Sequence, residues 1–268
     1  MTILDEIAGR SKERVESLKK RKSLVQIRQE AEALGRETGF PFQKALAAPG
    51  ISFICEVKKA SPSKGVIAEE FPYLKIAQEY EGAGAAAISV LTEPYYFLGS
   101  DRYLEEIAKA VSIPVLRKDF TVDAYQIYEA RVIGASAVLL ICALLEEGQL
   151  REYLEAAHSV GLSALVEAHT EEEIEMALKR GAGIIGVNNR NLKTFQVDIS
   201  LSGTLRNKVP ENVLFVSESG IRTAQDVARL REAKVDGVLI GETLMRSKDK
   251  KKELEKLLLD GENSRKLL

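Results

Sequence analysis

Short apolar runs rich in Val, Ile and Ala recur along this chain at a steady interval, and that recurrence constrains the fold more than any other feature. They occupy residues 53–57, 86–91, 115–116 with their flanks, 137–141, 164–166, 184–187, 213–216 and 237–240. Most lack polar alternation, which is how strands covered on both faces read. Longer amphipathic stretches separate them. From Ile51 onward each unit takes about 27 residues, the length that one strand, one helix and two short loops need. The joints repeat too: Gly82-Ala83-Gly84, Gly134-Ala135-Ser136 and Gly181-Ala182-Gly183 each follow a helical stretch. Glycine past a helix end supplies a left-handed cap, and small residues let the chain turn back to the sheet. Thr170 with Glu173 predicts a capping box for the helix that Gly181 closes. The pattern predicts an α/β protein, a parallel (β/α)8 TIM barrel in one domain, with an open doubly wound sheet as the competing arrangement.

Residues 51–268 carry the eight units, and residues 1–50 stand outside their rhythm. Ile3, Leu4, Ile7, Val15 and Leu18 fall at roughly helical spacing, and a second helix is expected near 24–34. These read as an N-terminal helical extension packed on the barrel. The run Lys19-Lys20-Arg21-Lys22 reads as a solvated helix end. At the other terminus, residues 253–259 are expected to close the last helix and 260–268 to fray.

Composition narrows the function classes. With 45% hydrophobic and 29% charged residues the chain is neither disordered nor of low complexity. Thirty-eight basic against 40 acidic residues leave a net charge of −2, so no global field invites nucleic acid. No apolar run approaches the roughly eighteen residues of a membrane span, and the first ten residues do not read as a signal peptide. Cys55 and Cys142 sit in apolar runs without CxxC spacing, as buried thiols of a reducing cytoplasm do. A cytoplasmic protein acting on a small molecule is expected.

Some motifs mislead. Gly82-Ala83-Gly84-Ala85-Ala86-Ala87 matches a relaxed dinucleotide fingerprint, but that site needs a strand before the glycines and a helix after, and here the order is reversed. His158 falls on a polar helix side. His169, two residues after the fifth strand, reads as a cap or loop residue ahead of a chemical one. With two histidines and no HExxH, a histidine-bound metal is not expected.

The informative residues lie where strands end, because barrels of this kind build their sites there. Glu56 and Lys58 are two apart at the end of strand one, so both point to one face while Cys55 and Val57 point to the other. Strand three ends in Lys118, strand five in Glu167, strand six in Asn188, and strand seven in Glu218-Ser219. A ring of structural salt bridges is the plain alternative, yet buried ion pairs add little stability. Enclosed like charges such as Lys58 and Lys118 are expected to lower each other's proton affinity toward acid–base range. Strands seven and eight run into Gly220 and Gly241, where backbone N–H groups can close on phosphate, with simple tight turns as the alternative. The loop at 59–65, polar and stiffened by Pro62, is suited to closing over a ligand.

At these residues the chain resembles the indole-3-glycerol phosphate synthase family of tryptophan biosynthesis. The matching stretches are Glu56-Val57-Lys58-Lys59-Ala60-Ser61-Pro62-Ser63-Lys64-Gly65, Leu91-Thr92-Glu93 with Phe97 and Gly99-Ser100, and Leu116-Arg117-Lys118-Asp119-Phe120. They continue through Leu165-Val166-Glu167-Ala168-His169, Gly186-Val187-Asn188-Asn189-Arg190-Asn191-Leu192, Ser217-Glu218-Ser219-Gly220-Ile221, and Ile240-Gly241-Glu242 with Leu244-Met245.

The resemblance implies a substrate in which an anthranilate ring, with its carboxylate, is joined through nitrogen to an opened deoxyribulose 5-phosphate. The ring carbon bearing the carboxylate attacks the sugar ketone, carbon dioxide leaves, and loss of water completes the indole. It implies Lys118 as general acid at the ketone oxygen and Lys58 as the group that holds the carboxylate and assists dehydration. Glu167 takes or relays the proton lost, Glu56 orients Lys58, Asn188 aligns the substrate, and Glu218 with Ser219 completes the polar network. Phe97, Phe120, Leu139 and Leu192 are expected to wall the aromatic ring, with Ser61 and Arg190 also at the substrate. Phosphate would meet Ser219 and the backbone of Gly220, Gly241 and Glu242, the Glu242 side chain pointing away.

No cofactor or metal is implied, because the carbonyl, ring and carboxylate already carry the reactivity. The expected assembly is a monomer or weak homodimer, with no nucleic-acid or membrane partner. Two other readings compete. A phosphosugar isomerase of the phosphoribosylanthranilate isomerase type wants a base and an acid, commonly Cys and Asp, but Cys55 faces away from the mouth. A non-catalytic phosphate-binding barrel predicts eroded rim chemistry, whereas the rim is intact.

Overall fold

The structure, a computed structural model, describes residues 2–191 and 194–263. Three helices precede the sheet: α1 (Ile3–Lys19), α2 (Leu24–Ala33) and α3 (Pro41–Leu46). Eight parallel strands then close on themselves: β1 (Ser52–Val57), β2 (Ala87–Leu91), β3 (Val115–Lys118), β4 (Ala137–Ile141), β5 (Ser163–Ala168), β6 (Ile184–Asn188), β7 (Leu214–Glu218) and β8 (Gly237–Ile240). Neighbours around the ring follow chain order, and β8 returns to β1 with Ser52 opposite Gly237 and Ile54 opposite Leu239. Each strand coincides with one of the eight apolar runs. The helices between them are α4 (Tyr73–Gly82), α5 (Asp101–Ala110), α6 (Ala124–Val132), α7 (Glu147–Ser159), α8 (Glu171–Lys179), α9 (Ser200–Arg206), α10 (Ala224–Glu232), α11 (Glu242–Arg246) and α12 (Lys250–Asn263).

Strand side chains alternate between two cores. Phe53, Cys55, Val57, Ile88, Val90, Val138 and Val166 face the helices. Ile54, Leu116, Leu139, Leu165, Val216 and Leu239 fill the barrel axis. Two residues beyond Ile54, Leu116, Leu165 and Val216 come Glu56, Lys118, Glu167 and Glu218, so the period of the pleat carries all four to the inner face. Cys55 lies in the outer core, buried and uncharged, with its thiol pushed far up by burial.

Local chemistry starts and stops the helices as expected. Ser100, Asp123, Thr170 and Thr223 accept hydrogen bonds from first-turn N–H groups, and Gly134 and Gly181 take φ of +92° and +84° at the return joints. The predicted capping box at Thr170 is only half formed. Thr170 accepts from the Glu173 N–H at 3.2 Å, but the Glu173 carboxylate accepts from the His169 N–H at 2.6 Å instead of closing on Thr170.

The N-terminal helices occupy both ends of the barrel. α3, which the sequence pattern did not reveal, inserts fully buried Phe42 and Leu46 into the axial core beside Ile54 and Leu239. Gly237 lets it approach, since a Cβ there would sit 3.0 Å from the Leu46 side chain. α1 lies at the opposite end, tied down by Lys19 to Asp123 and by Arg14 to Asp119, both at 2.6 Å. In the basic run Lys20 and Arg21 are exposed and Lys22 pairs with Glu30 at 2.7 Å at the surface, as a solvated end does, while Lys19 is the one that ties the helix down. The last helix continues to Asn263, past the expected close at 259. The fraying expected of 260–268 falls in part outside the described residues.

Candidate active site

One cavity of about 360 Å³ opens at the C-terminal ends of the strands. It gathers Glu56, Lys58, Ser61, Phe97, Lys118, Phe120, Leu139, Glu167, Asn188, Arg190, Glu218, Ser219, Gly220, Gly241 and Glu242. Among the sequence candidates only Leu192 lies outside the described residues.

The floor is an alternating set of charges. Lys58 donates to Glu56 at 2.5 Å. Lys118 donates to Glu167 at 3.3 Å and lies 3.5 Å from Glu218. Both lysine side chains are 15% exposed and both Lys118 partners 2%, so the charges meet with little water between them. The expected lowering of lysine proton affinity is not what the geometry gives for Lys118. Burial pulls it down, but Glu167, Glu218 and Glu56 outweigh burial and hold it above the ordinary lysine range. The like charge of Lys58 is outweighed by the three carboxylates that the strand ends bring to the same rim. Burial raises Glu167 as well, yet Lys118, His169 and a hydrogen bond from Asn188 keep it below the usual carboxylate range. Glu218 goes the other way: burial, with Glu167 and Glu56 nearby, lifts it to about 7 despite Lys118. Beside the Lys58–Glu56 pair, the Lys118 group thus holds one firmly charged cation, one firmly charged carboxylate, and one carboxyl poised near neutrality.

Two glycines make this packing possible. A Cβ at Gly241 would collide with the Glu56 carboxylate and Lys58, and one at Gly186 with the Glu218 carboxylate. Gly241 therefore serves the ion pair as well as any ligand at its N–H. At the next strand end Ser219 is held at φ +69° and Gly220 at +87°. A non-glycine residue in the left-handed region is strained, and such strain gathers at functional sites.

An apolar wall faces the charges. Phe97 and Phe120 lie 5.9 Å apart at 40°, and Leu139 stands below them on β4. Ile3, Leu4 and Ile7 of α1 and Phe195 add to the lining. The sequence reading packed α1 on the barrel without placing it at the site, although its apolar stripe was visible. Arg190, Lys64 and Arg246 gather at the far rim around Glu242, at 3.8, 3.6 and 3.2 Å. The Glu242 carboxylate is turned toward these cations at the rim. Ala60–Ser61 pairs with Gly65–Val66 as a small hairpin within the loop after β1. Asn189, beside Asn188, is structural: it donates to Ser217 and to the Ser219 carbonyl, both at 3.0 Å.

A family model described as "Indole-3-glycerol phosphate synthase" matches residues 4–257. The chain belongs to the indole-3-glycerol phosphate synthase family. It is 60% identical to the indole-3-glycerol phosphate synthase of Ruminiclostridium cellulolyticum, over 95% of this chain and 98% of that one. It is also 60% identical to that of Endomicrobium trichonymphae, over 91% and 95%. Among solved structures it is similar to thiamine phosphate pyrophosphorylase from Pyrococcus furiosus (TM-score 0.60, 18% identity, 82% of this chain and 98% of that one). A mutant tryptophan synthase α-subunit from Pyrococcus furiosus gives 0.59 at 16% identity, over 77% and 97%. At those identities the structures speak to the barrel fold alone. Cys55, in the outer core, is not available to the isomerase chemistry considered above.

Proposed function

We propose that this chain performs the reaction its family is named for. It closes the anthranilate-substituted deoxyribulose 5-phosphate into indole-3-glycerol phosphate, releasing carbon dioxide and water, as a decarboxylating carbon–carbon lyase of tryptophan biosynthesis. The observation that carries the mechanism is Lys118, a buried ammonium between Glu167 and Glu218 facing a cavity walled by paired aromatic rings.

In this reading Phe97, Phe120 and Leu139 hold the anthranilate ring so that its carboxylate-bearing carbon faces the ketone. Lys118 donates a proton to the ketone oxygen as the carbon–carbon bond forms, and its carboxylate neighbours keep it charged until then. Lys58, steadied by Glu56, holds the substrate carboxylate until it leaves as carbon dioxide, and then assists dehydration. Glu167, ionised beside Lys118, takes the carbon-bound proton whose loss completes the indole. Asn188 aligns the intermediate, and Glu218 with Ser219 completes the polar network. Phosphate binds at the backbone N–H groups of Gly220, Gly241 and Glu242 with Ser219, and Arg190 and Lys64 supply charge. Ser61, in the hairpin loop, completes the cover. The assembly proposed is a monomer or weak homodimer, working in the cytoplasm.

The test is turnover of that substrate by purified protein in buffer containing EDTA, followed by indole fluorescence. Catalytic appearance of indole product is expected. A folded protein that binds the substrate and forms no product would overturn the reading in favour of a binding barrel.

A further inference from the structure

His169 is a titratable group that these roles leave unused; it does not line the cavity itself but stands beside Glu167, which does. It sits just beyond β5, with Nε2 3.8 Å from Oε1 of Glu167 and Nδ1 3.7 Å from Glu173 on α8. Nε2 is buried and has no hydrogen-bond partner among the described residues, although it faces a carboxylate. Glu173 is held by the His169 N–H at 2.6 Å and is 21% exposed, so the series Glu167, His169, Glu173 runs from Lys118 to solvent.

The proposed reaction needs such a connection. Its oxygen is protonated twice, once as the ring closes and again as it leaves as water, while only one proton is recovered from carbon. The carboxylate departs as neutral carbon dioxide, so one proton per turnover comes from solvent. Resting on the functional reading above, with Lys58 assisting dehydration by holding the hydroxyl and Lys118 supplying the proton with which it leaves, we propose that His169 recharges Lys118 between these two protonations. The Nε2–H bond of the imidazolium breaks and an O–H bond forms on Oε1 of Glu167. A half-turn of the carboxyl about Cγ–Cδ brings the hydroxyl to the neutral Lys118 amine, which takes the proton and becomes ammonium again. The neutral ring turns its bare nitrogen toward Glu173 and water and regains a proton there. Glu167 is then a carboxylate again when the carbon-bound proton is lost.

The surroundings favour a charged ring. Burial opposes it, but Glu173, Glu167 and Glu218 outweigh burial and hold His169 above its ordinary range. Lys118 lies across Glu167, and Cys142, on the turn after β4, donates to the Glu173 carbonyl at 3.7 Å. The Cys142 thiol is pushed up to about 12 and stays uncharged. The gap of 3.8 Å closes by less than an ångström to reach transfer distance, as catalytic contacts commonly do when substrate binds.

Rapid-quench kinetics of H169Q, following carbon dioxide and indole separately, tests this. Carbon dioxide release in the first turnover is expected to stay within about twofold of the unsubstituted chain. Indole formation falls at least about tenfold, and the hydroxylated intermediate, one water heavier than product, accumulates. Imidazole added to H169A restores indole formation. E173Q, which keeps the ring, slows the same step by less and stands in if H169Q fails to fold. Indole formation at the original rate in H169Q, or equal slowing of both products with no response to imidazole in H169A, overturns the proposal. If the unsubstituted chain makes no indole, the functional reading fails instead.

Discussion

The two ends of this barrel are built from the same eight strands and differ in nearly every chemical respect. At the N-terminal end Ile54, Val216 and Leu239 meet Phe42 and Leu46 from α3, and the axis is closed by apolar contact, with one hydrogen bond from Ser52 to the Ala45 carbonyl beside it. Two residues further along β1 and β7 the same inward face presents Glu56 and Glu218, buried and charged or poised to charge. One end minimises exposed apolar surface. The other keeps ionisable groups out of water at a cost in desolvation that burial elsewhere must offset. The contrast assigns stability to one end and chemistry to the other, and substitution at either end can break that assignment.

The largest effect is expected at the mouth. Lys118→Ala should lower turnover by about 10²–10⁴-fold, as loss of a general acid does, while substrate binding persists. The fold should survive because Glu167 and Glu218, deprived of the cation, take up protons rather than remain as paired buried anions. Steady-state kinetics beside a thermal melt checks both halves. Near-normal turnover would remove Lys118 from the mechanism, and an unfolded variant would show that the mouth also bears stability.

The complementary change is Phe42→Ala. Emptying a fully buried aromatic site should cost about 3–5 kcal/mol in urea unfolding, with turnover per folded molecule unchanged. A loss of turnover in the folded protein would mean that the plug at one end sets the geometry of the other.

What could be read in the sequence follows from this same contrast. The strands were legible because doubly covered strands are apolar throughout, and pleat parity alone placed Glu56 with Lys58 inside and Cys55 outside. α3 was not legible: six residues beginning at Pro41 are too few to display a helical period. Nor was the short helix α11 after Gly241. The left-handed Ser219 follows from tertiary constraint at a strand end, for which serine gives no signal. The proton affinity of Lys118 was expected in the wrong direction because its partners lie on β1, β5 and β7, and their distances emerge only when the ring closes. The cation partners of Glu242 were not legible for a like reason, since Lys64, Arg190 and Arg246 reach it from separate segments.

The smallest of these effects concerns Glu218, where chemistry and stability are set against each other in one group. Its proton affinity rises on folding from an ordinary 4.5 to about 7. A carboxyl raised in this way favours the folded state fully at pH below its unfolded value, and that contribution is lost as pH climbs through the folded one. Between pH 4.5 and 7 the loss approaches about 3 kcal/mol at most. Glu218→Gln keeps the shape and cannot ionise. Its stability relative to the unsubstituted protein should therefore rise between pH 5 and pH 8, in urea titrations at the two values. A difference that stays flat with pH would mean that Lys118 holds Glu218 ionised throughout. The mouth would then contain two permanent anions around one cation.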